Sequence, residues 1–87
     1  MKFIHTDLGH CSGNEIVKIE LSAGANVRLM THSNFLSYRR GGQYRFHGGL
    51  ARKSPLSLSV PSSGHWHAVV DMEGLRGRTS VSVRLVA

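Results

Sequence analysis

The chain reads as an all-β protein: a single small antiparallel β-sandwich or squashed barrel of about eight short strands, with one short helix near residues 33–40. Three observations predict it. Apolar residues recur at every second position in Glu15–Leu21, Leu56–Val60 and Val81–Leu85, the pattern of strands wet on one side. Clusters of turn-forming residues separate such runs at roughly 8 to 12 residue intervals, as in sandwiches and small barrels. Only the stretch Ser33–Gly41 departs from this rhythm.

Taken in order, Lys2–Leu8 is a first β-like run, closed by the turn signal Ser12-Gly13-Asn14. In Glu15–Leu21, Val17, Ile19 and Leu21 share one face while Lys18 and Glu20 take the other. Ala23-Gly24-Ala25-Asn26 turns the chain into a third run, Asn26–Met30. Ser33 is the expected helix N-cap, Phe35 and Tyr38 share a helix face, and Gly41 is the stop. Gln43–Phe46, Leu56–Val60, Trp66–Val70 and Val81–Leu85 supply the remaining strands, with Pro61-Ser62-Ser63-Gly64 and Glu73-Gly74 as turns. In the last strand Val81, Val83 and Leu85 are expected inside and Arg84 in solvent. The pair Gly48-Gly49 marks a bulge or a close backbone approach.

The length of 87 residues holds one core, and residues 2–86 are expected to form one domain, without linker or internal repeat. One cysteine, Cys11, excludes an intrachain disulfide, so a reducing cytoplasmic setting is expected. No apolar stretch approaches the ~18 residues of a membrane span, and the first residues lack the apolar core of a signal peptide.

The assembled residues resemble a small bacterial family catalogued as domain of unknown function 1883. The likeness runs nearly end to end, through Met1-Lys2-Phe3 with His5 and Asp7-Leu8-Gly9, Ala25-Asn26-Val27-Arg28-Leu29-Met30, Ser33-Asn34-Phe35 with Tyr38, Gly48-Gly49, Ser54-Pro55, and Gly64-His65-Trp66 leading into Val69-Val70-Asp71. The chain departs from its relatives at Thr6, at Cys11-Ser12-Gly13 and at His67. The resemblance implies an all-β fold in a bacterial protein. It brings no catalytic residues or activity with it, and its occurrence ahead of Toll/interleukin-receptor-like domains implies a sensor or adaptor role.

Charge supplies the functional expectation. Between Glu20 and Asp71 there is no carboxylate, yet Arg28, Arg39, Arg40, Arg45, Arg52 and Lys53 lie there, and the whole chain carries a net charge of +6. Such an imbalance raises the local concentration of anions. Arg39, Arg40, Arg45 and Arg52 are therefore the expected anion-binding residues, with Tyr38 and Tyr44 as stacking platforms. The expected function is a noncatalytic binding module for an anionic small molecule or an acidic protein surface. Self-association through a strand edge is the alternative. Nucleic acid is less favoured, because the second and third strands carry no aromatic platform. The competing reading puts Phe35, Tyr38 and Phe46 in the core and leaves the arginines as a solvated rim.

Other constellations weigh less. His65-Trp66-His67 places two imidazoles on one strand face, a spacing that suits zinc, but a third ligand would have to come from His5, Asp7, His10 or Cys11. Two half-exposed histidines flanking an inward Trp66 are expected, and no metal or other cofactor. His10-Cys11 needs a turn to become a dyad, and Cys11 is expected to be a small residue in that turn. Five acids are few for an enzyme, with only Asp7 and Asp71 placed to serve as site acids, and no glycine pair fits a phosphate loop.

Overall fold

The computed structural model describes residues 3–86, so the Lys2 start expected for the first strand and for the domain lies outside the described residues. The elements follow as β1 (Phe3–Cys11), β2 (Ile16–Leu21), β3 (Ala25–Thr31), α1 (His32–Arg39), β4 (His47–Ala51), β5 (Leu56–Ser59), β6 (Gly64–Asp71) and β7 (Val81–Val86). Among the described residues there are thus seven strands where about eight were expected. They form two antiparallel sheets, one ordered β1-β6-β3-β4 and the other β5-β2-β7. The result is a sandwich and not a closed barrel, and β1, β4, β5 and β7 are its edges.

The period-two pattern makes the core. Val17 and Ile19 of β2 meet Ala25, Val27 and Leu29 of β3 and Trp66, Ala68 and Val70 of β6, all buried, with Cys11 and Val60 among them. Trp66 points inward as expected, and its indole N–H donates to the Ser62 carbonyl at 2.9 Å, so the one polar atom of the ring is not left unpaired in the core. Val81 and Val83 pack against this cluster, whereas Leu85 lies beyond its reach on the β7 edge and stays 38% exposed. Among the described residues no helix is long and apolar enough to cross a membrane.

Three local expectations are corrected. Cys11 is the last residue of β1 and fully buried, because the turn begins one residue later. That turn is organised by Glu15, whose carboxylate accepts from the backbone N–H groups of Ser12, Gly13 and Asn14. The helix begins at His32 with Thr31 as its N-cap, since β3 runs straight into it, and Asn34 donates to the Thr31 hydroxyl at 2.8 Å. Gln43–Phe46 is a loop and the fourth strand is His47–Ala51. Gly48 explains the placement: it stands opposite Arg28 in the β3–β4 ladder at φ 122°, where a Cβ would collide with the Val27 carbonyl oxygen. The glycine pair is a close backbone approach.

Candidate functional site on the outer face of the four-stranded sheet

The strand positions that avoid the core build a second surface. On β6 these are His65, His67, Val69 and Asp71, and ladder pairing sets Phe3 opposite Asp71, His5 opposite Val69 and Asp7 opposite His67. From β3 come Asn26, Arg28 and Met30. Helix α1 covers the middle of this face, where Phe35 and Tyr38 pack with Met30 and Val69 in a second buried cluster. The helix thus divides the outer face into two polar ends.

At one end Asp71 is buried and fully engaged. Its carboxylate accepts from Tyr38 Oη at 2.6 Å, Asn26 Nδ2 at 2.8 Å, Arg28 Nε at 3.0 Å and the Glu73 backbone N–H at 3.1 Å. Burial opposes the charge, but these four donors outweigh it and hold the Asp71 pKa below the usual carboxylate value. The Tyr38 phenol is pushed upward, by burial first and then by the hydrogen bond it donates to the Asp71 carboxylate. Arg28 has Glu73 as a second, looser partner at 3.9 Å, and its guanidinium lies over the Phe46 and Tyr44 rings at 4.8 and 5.8 Å from their centroids. This knot ties the helix to the sheet, so Asp71 is a structural acid.

At the other end stand four imidazoles and one carboxylate. His67 is buried, and its two ring nitrogens face His5 Nε2 at 2.6 Å and His32 Nδ1 at 2.9 Å. His65 Nε2 meets Asp7 Oδ1 at 2.7 Å, and the His65 ring stacks on His32 at 4.6 Å with only 4° between planes. Phe35 is the floor, stacked on His5 at 4.1 Å and on His67 at 4.6 Å. A register shift between Asp7 and Gly9 turns the Asp7 carboxylate back on its own chain, where it accepts from the Gly9 N–H at 2.8 Å. That backbone bond, with His65 next, holds the Asp7 pKa down. Burial lowers His67 to about 4 against the pull of Asp7, and the imidazoles of His5, His65 and His32 act in the same downward sense. His5 is lowered by burial too, opposed by Asp7 and assisted by Arg39. Burial thus favours the neutral form of His5 and His67.

The expected anion site is divided. Arg39 and Arg40 lie at the C-terminal end of α1, where Arg39 reaches over the Phe35 ring at 5.6 Å. Arg45 sits beside the first helical turn, its backbone N–H donating to Asn34 Oδ1 at 2.9 Å. Arg52 is elsewhere, lining a hollow with Leu21, Ser22, Ala23 and Gly24. Among the described residues the ion pairs are those of Arg28 with Asp71 and Glu73, and none involves these four arginines. Tyr38, expected to stack on a ligand, is 0% exposed and belongs to the core, whereas Tyr44 is half-buried with its ring edge-on to Tyr38 at 4.9 Å. Phe46 remains 37% exposed, outside the core assigned to it.

Sequence reasoning points to His65 and His67 and misses one companion, His32, whose Nδ1 stands 2.9 Å from His67 Nε2. His32 was not among the third ligands considered, and His67 is buried where half-exposure was expected. The strand order that lays β1 beside β6, and the helix start that brings His32 over it, carry no mark in the chain itself.

A sandwich with a helix strapped across one outer face, and its polar groups gathered at both ends of that helix, defines a small all-β module. The chain belongs to the family described as domain of unknown function (DUF1883), whose model matches residues 1–87. Neither the curated proteins nor the solved structures contain a match to it.

Proposed function

We propose that this protein is a noncatalytic interaction module that recognises an acidic protein surface through the α1–β4 segment. The observation that supports it is the set of exposed guanidinium groups at Arg39, Arg40 and Arg45, with no carboxylate partner among the described residues, along a helix and loop already pinned by Asp71 and Asn34. These charges flank α1 at both ends and do not converge. A strip of this kind suits an extended run of carboxylates better than a compact nucleotide, which needs donors meeting at one point. Arg52 lies outside the strip.

Fluorescence anisotropy with labelled poly-L-glutamate tests the reading. Binding is expected at low salt, weakening as ionic strength rises, and R40A/R45A should reduce affinity at least about fivefold while R52A leaves it unchanged. Absence of binding at low salt, or equal affinity in R40A/R45A, refutes it. Tighter binding of a single-stranded oligonucleotide would replace it with nonspecific polyanion affinity.

A second reading rests on the β7 edge. β7 pairs with β2 alone, and Leu85 and Val86 are each 38% exposed on it. Edges of this kind template pairing with a second copy. Sedimentation at high salt tests it: a dimer that persists there and disappears in L85K supports pairing through β7, and a monomer at high protein concentration excludes it.

A further inference from the structure

The imidazoles of His32, His65 and His67 each present one ring nitrogen, and these three atoms lie within 4.8 Å of one another. We infer that they form a site for a divalent transition-metal ion of the zinc class, held by three histidines with one coordination position open to solvent. The site uses none of the arginines above and stands independently of the proposed function.

Ligand chemistry, spacing and outer contacts agree. Imidazole suits zinc, copper, nickel and iron, and three protein ligands with a fourth position left to water or an anion is a recurrent zinc arrangement. Two nitrogens bound to one tetrahedral zinc stand about 3.3 Å apart, and His67 Nε2 and His32 Nδ1 are 2.9 Å apart. A few tenths of an ångström of opening admits the ion. His65 and Asp7 are 40% and 52% exposed along their side chains, so the bonded pair can shift together to close the remaining distance.

On His67 and His65 the nitrogens that would not bind metal are already held. His67 Nδ1 is 2.6 Å from His5 Nε2, and donation across that contact leaves the lone pair of His67 on Nε2, facing His32. Asp7 takes Nε2 of His65, which leaves Nδ1 as its ligand atom. Such outer partners fix ring orientation and raise the basicity of the ligand. Phe35 packs against both His5 and His67, and this packing fixes the inner half of the site while His32 and His65 form its solvent side. Cys11 is no part of it, since its side chain lies in the core between the sheets.

The test uses untagged, metal-stripped protein titrated with zinc chloride in competition with a chromophoric chelator, and with cobalt(II) chloride read by visible absorption. One equivalent of zinc is expected, with intense low-coordinate cobalt bands. H32Q and H65Q should each weaken zinc at least about tenfold, and D7N about 10- to 100-fold through the outer contact. H47Q, on β4 outside the cluster, should bind as the parent does. Because His67 is buried, the solvent-side variants carry the test, with their fold checked by circular dichroism. Less than a tenth of an equivalent of zinc, or unchanged affinity in H32Q and H65Q, overturns the site and leaves only a hydrogen-bonded imidazole ladder.

Discussion

Replacing Tyr38 by Phe removes one oxygen atom and nothing else, and the geometry sets what that should cost. The lost group is a 2.6 Å hydrogen bond to a buried carboxylate, an interaction of the charged class contributing about 1.5 to 3 kcal/mol. Asp71 keeps three donors, from Asn26, Arg28 and the Glu73 backbone, so its charge stays compensated and the lower figure applies. A loss of about 1.5 kcal/mol is expected, which for a domain of this size lowers Tm by about 6 to 12 °C. Asp71→Ala is the harsher perturbation. It strips the main counterion from Arg28, whose side chain is only 13% exposed, and leaves Glu73 at 3.9 Å as a weak substitute. Breaking a buried pair from one side costs about 3 to 5 kcal/mol. Urea unfolding followed by Trp66 fluorescence measures both, and the double variant measures their coupling. A Tyr38→Phe loss below about 0.5 kcal/mol, or additive effects in the double variant, would show that the knot does not hold the helix.

Further outcomes test other parts of the structure. Gly48→Ala should destabilise by about 2 kcal/mol or more, since the residue sits at φ 122° against the Val27 carbonyl; a urea midpoint near that of the parent would contradict the ladder geometry. Acid should weaken the fold through Glu15 and Asp71, whose folded pKa values lie below their ordinary ones. For Glu15 that contribution is complete above about 4.5 and lost as pH falls toward about 2, so E15Q should flatten the pH dependence of the urea midpoint in that window. The Cys11 thiol, raised by burial and then by Glu15, should react with Ellman's reagent only after denaturation; rapid labelling of native protein would place it outside the core.

The alternation of Val17, Ile19 and Leu21, and of Val81 and Val83, was enough to read an antiparallel sandwich or squashed barrel, because a half-buried strand leaves a period-two record in its own residues, while the choice between the two rests on strand order. Trp66 could be placed inside on the same ground. The fourth strand could not, since His47-Gly48-Gly49 has neither alternation nor β-branched residues, and its pairing depends on how closely β3 approaches. The arginines were visible as charge, but charge in sequence does not say which face it occupies, and Arg52 proved remote from Arg39 and Arg45. Tyr38 looked like a platform for ligands because its partner, Asp71, lies 33 residues away. The histidine group depends still more on topology, for His5 and His67 stand 62 residues apart.

The path of the chain through the sandwich has a consequence for how it must be made. It crosses from one layer to the other between β1 and β2, β2 and β3, β4 and β5, β5 and β6, and β6 and β7, so neither sheet can be completed from neighbouring strands alone. During synthesis β1 and β3 both wait for β6 to lie between them, and β2 lacks one flank until β7 emerges. Closure is therefore an event of the whole chain, and cutting it anywhere between β2 and β6 leaves two fragments that each hold broken pieces of both layers.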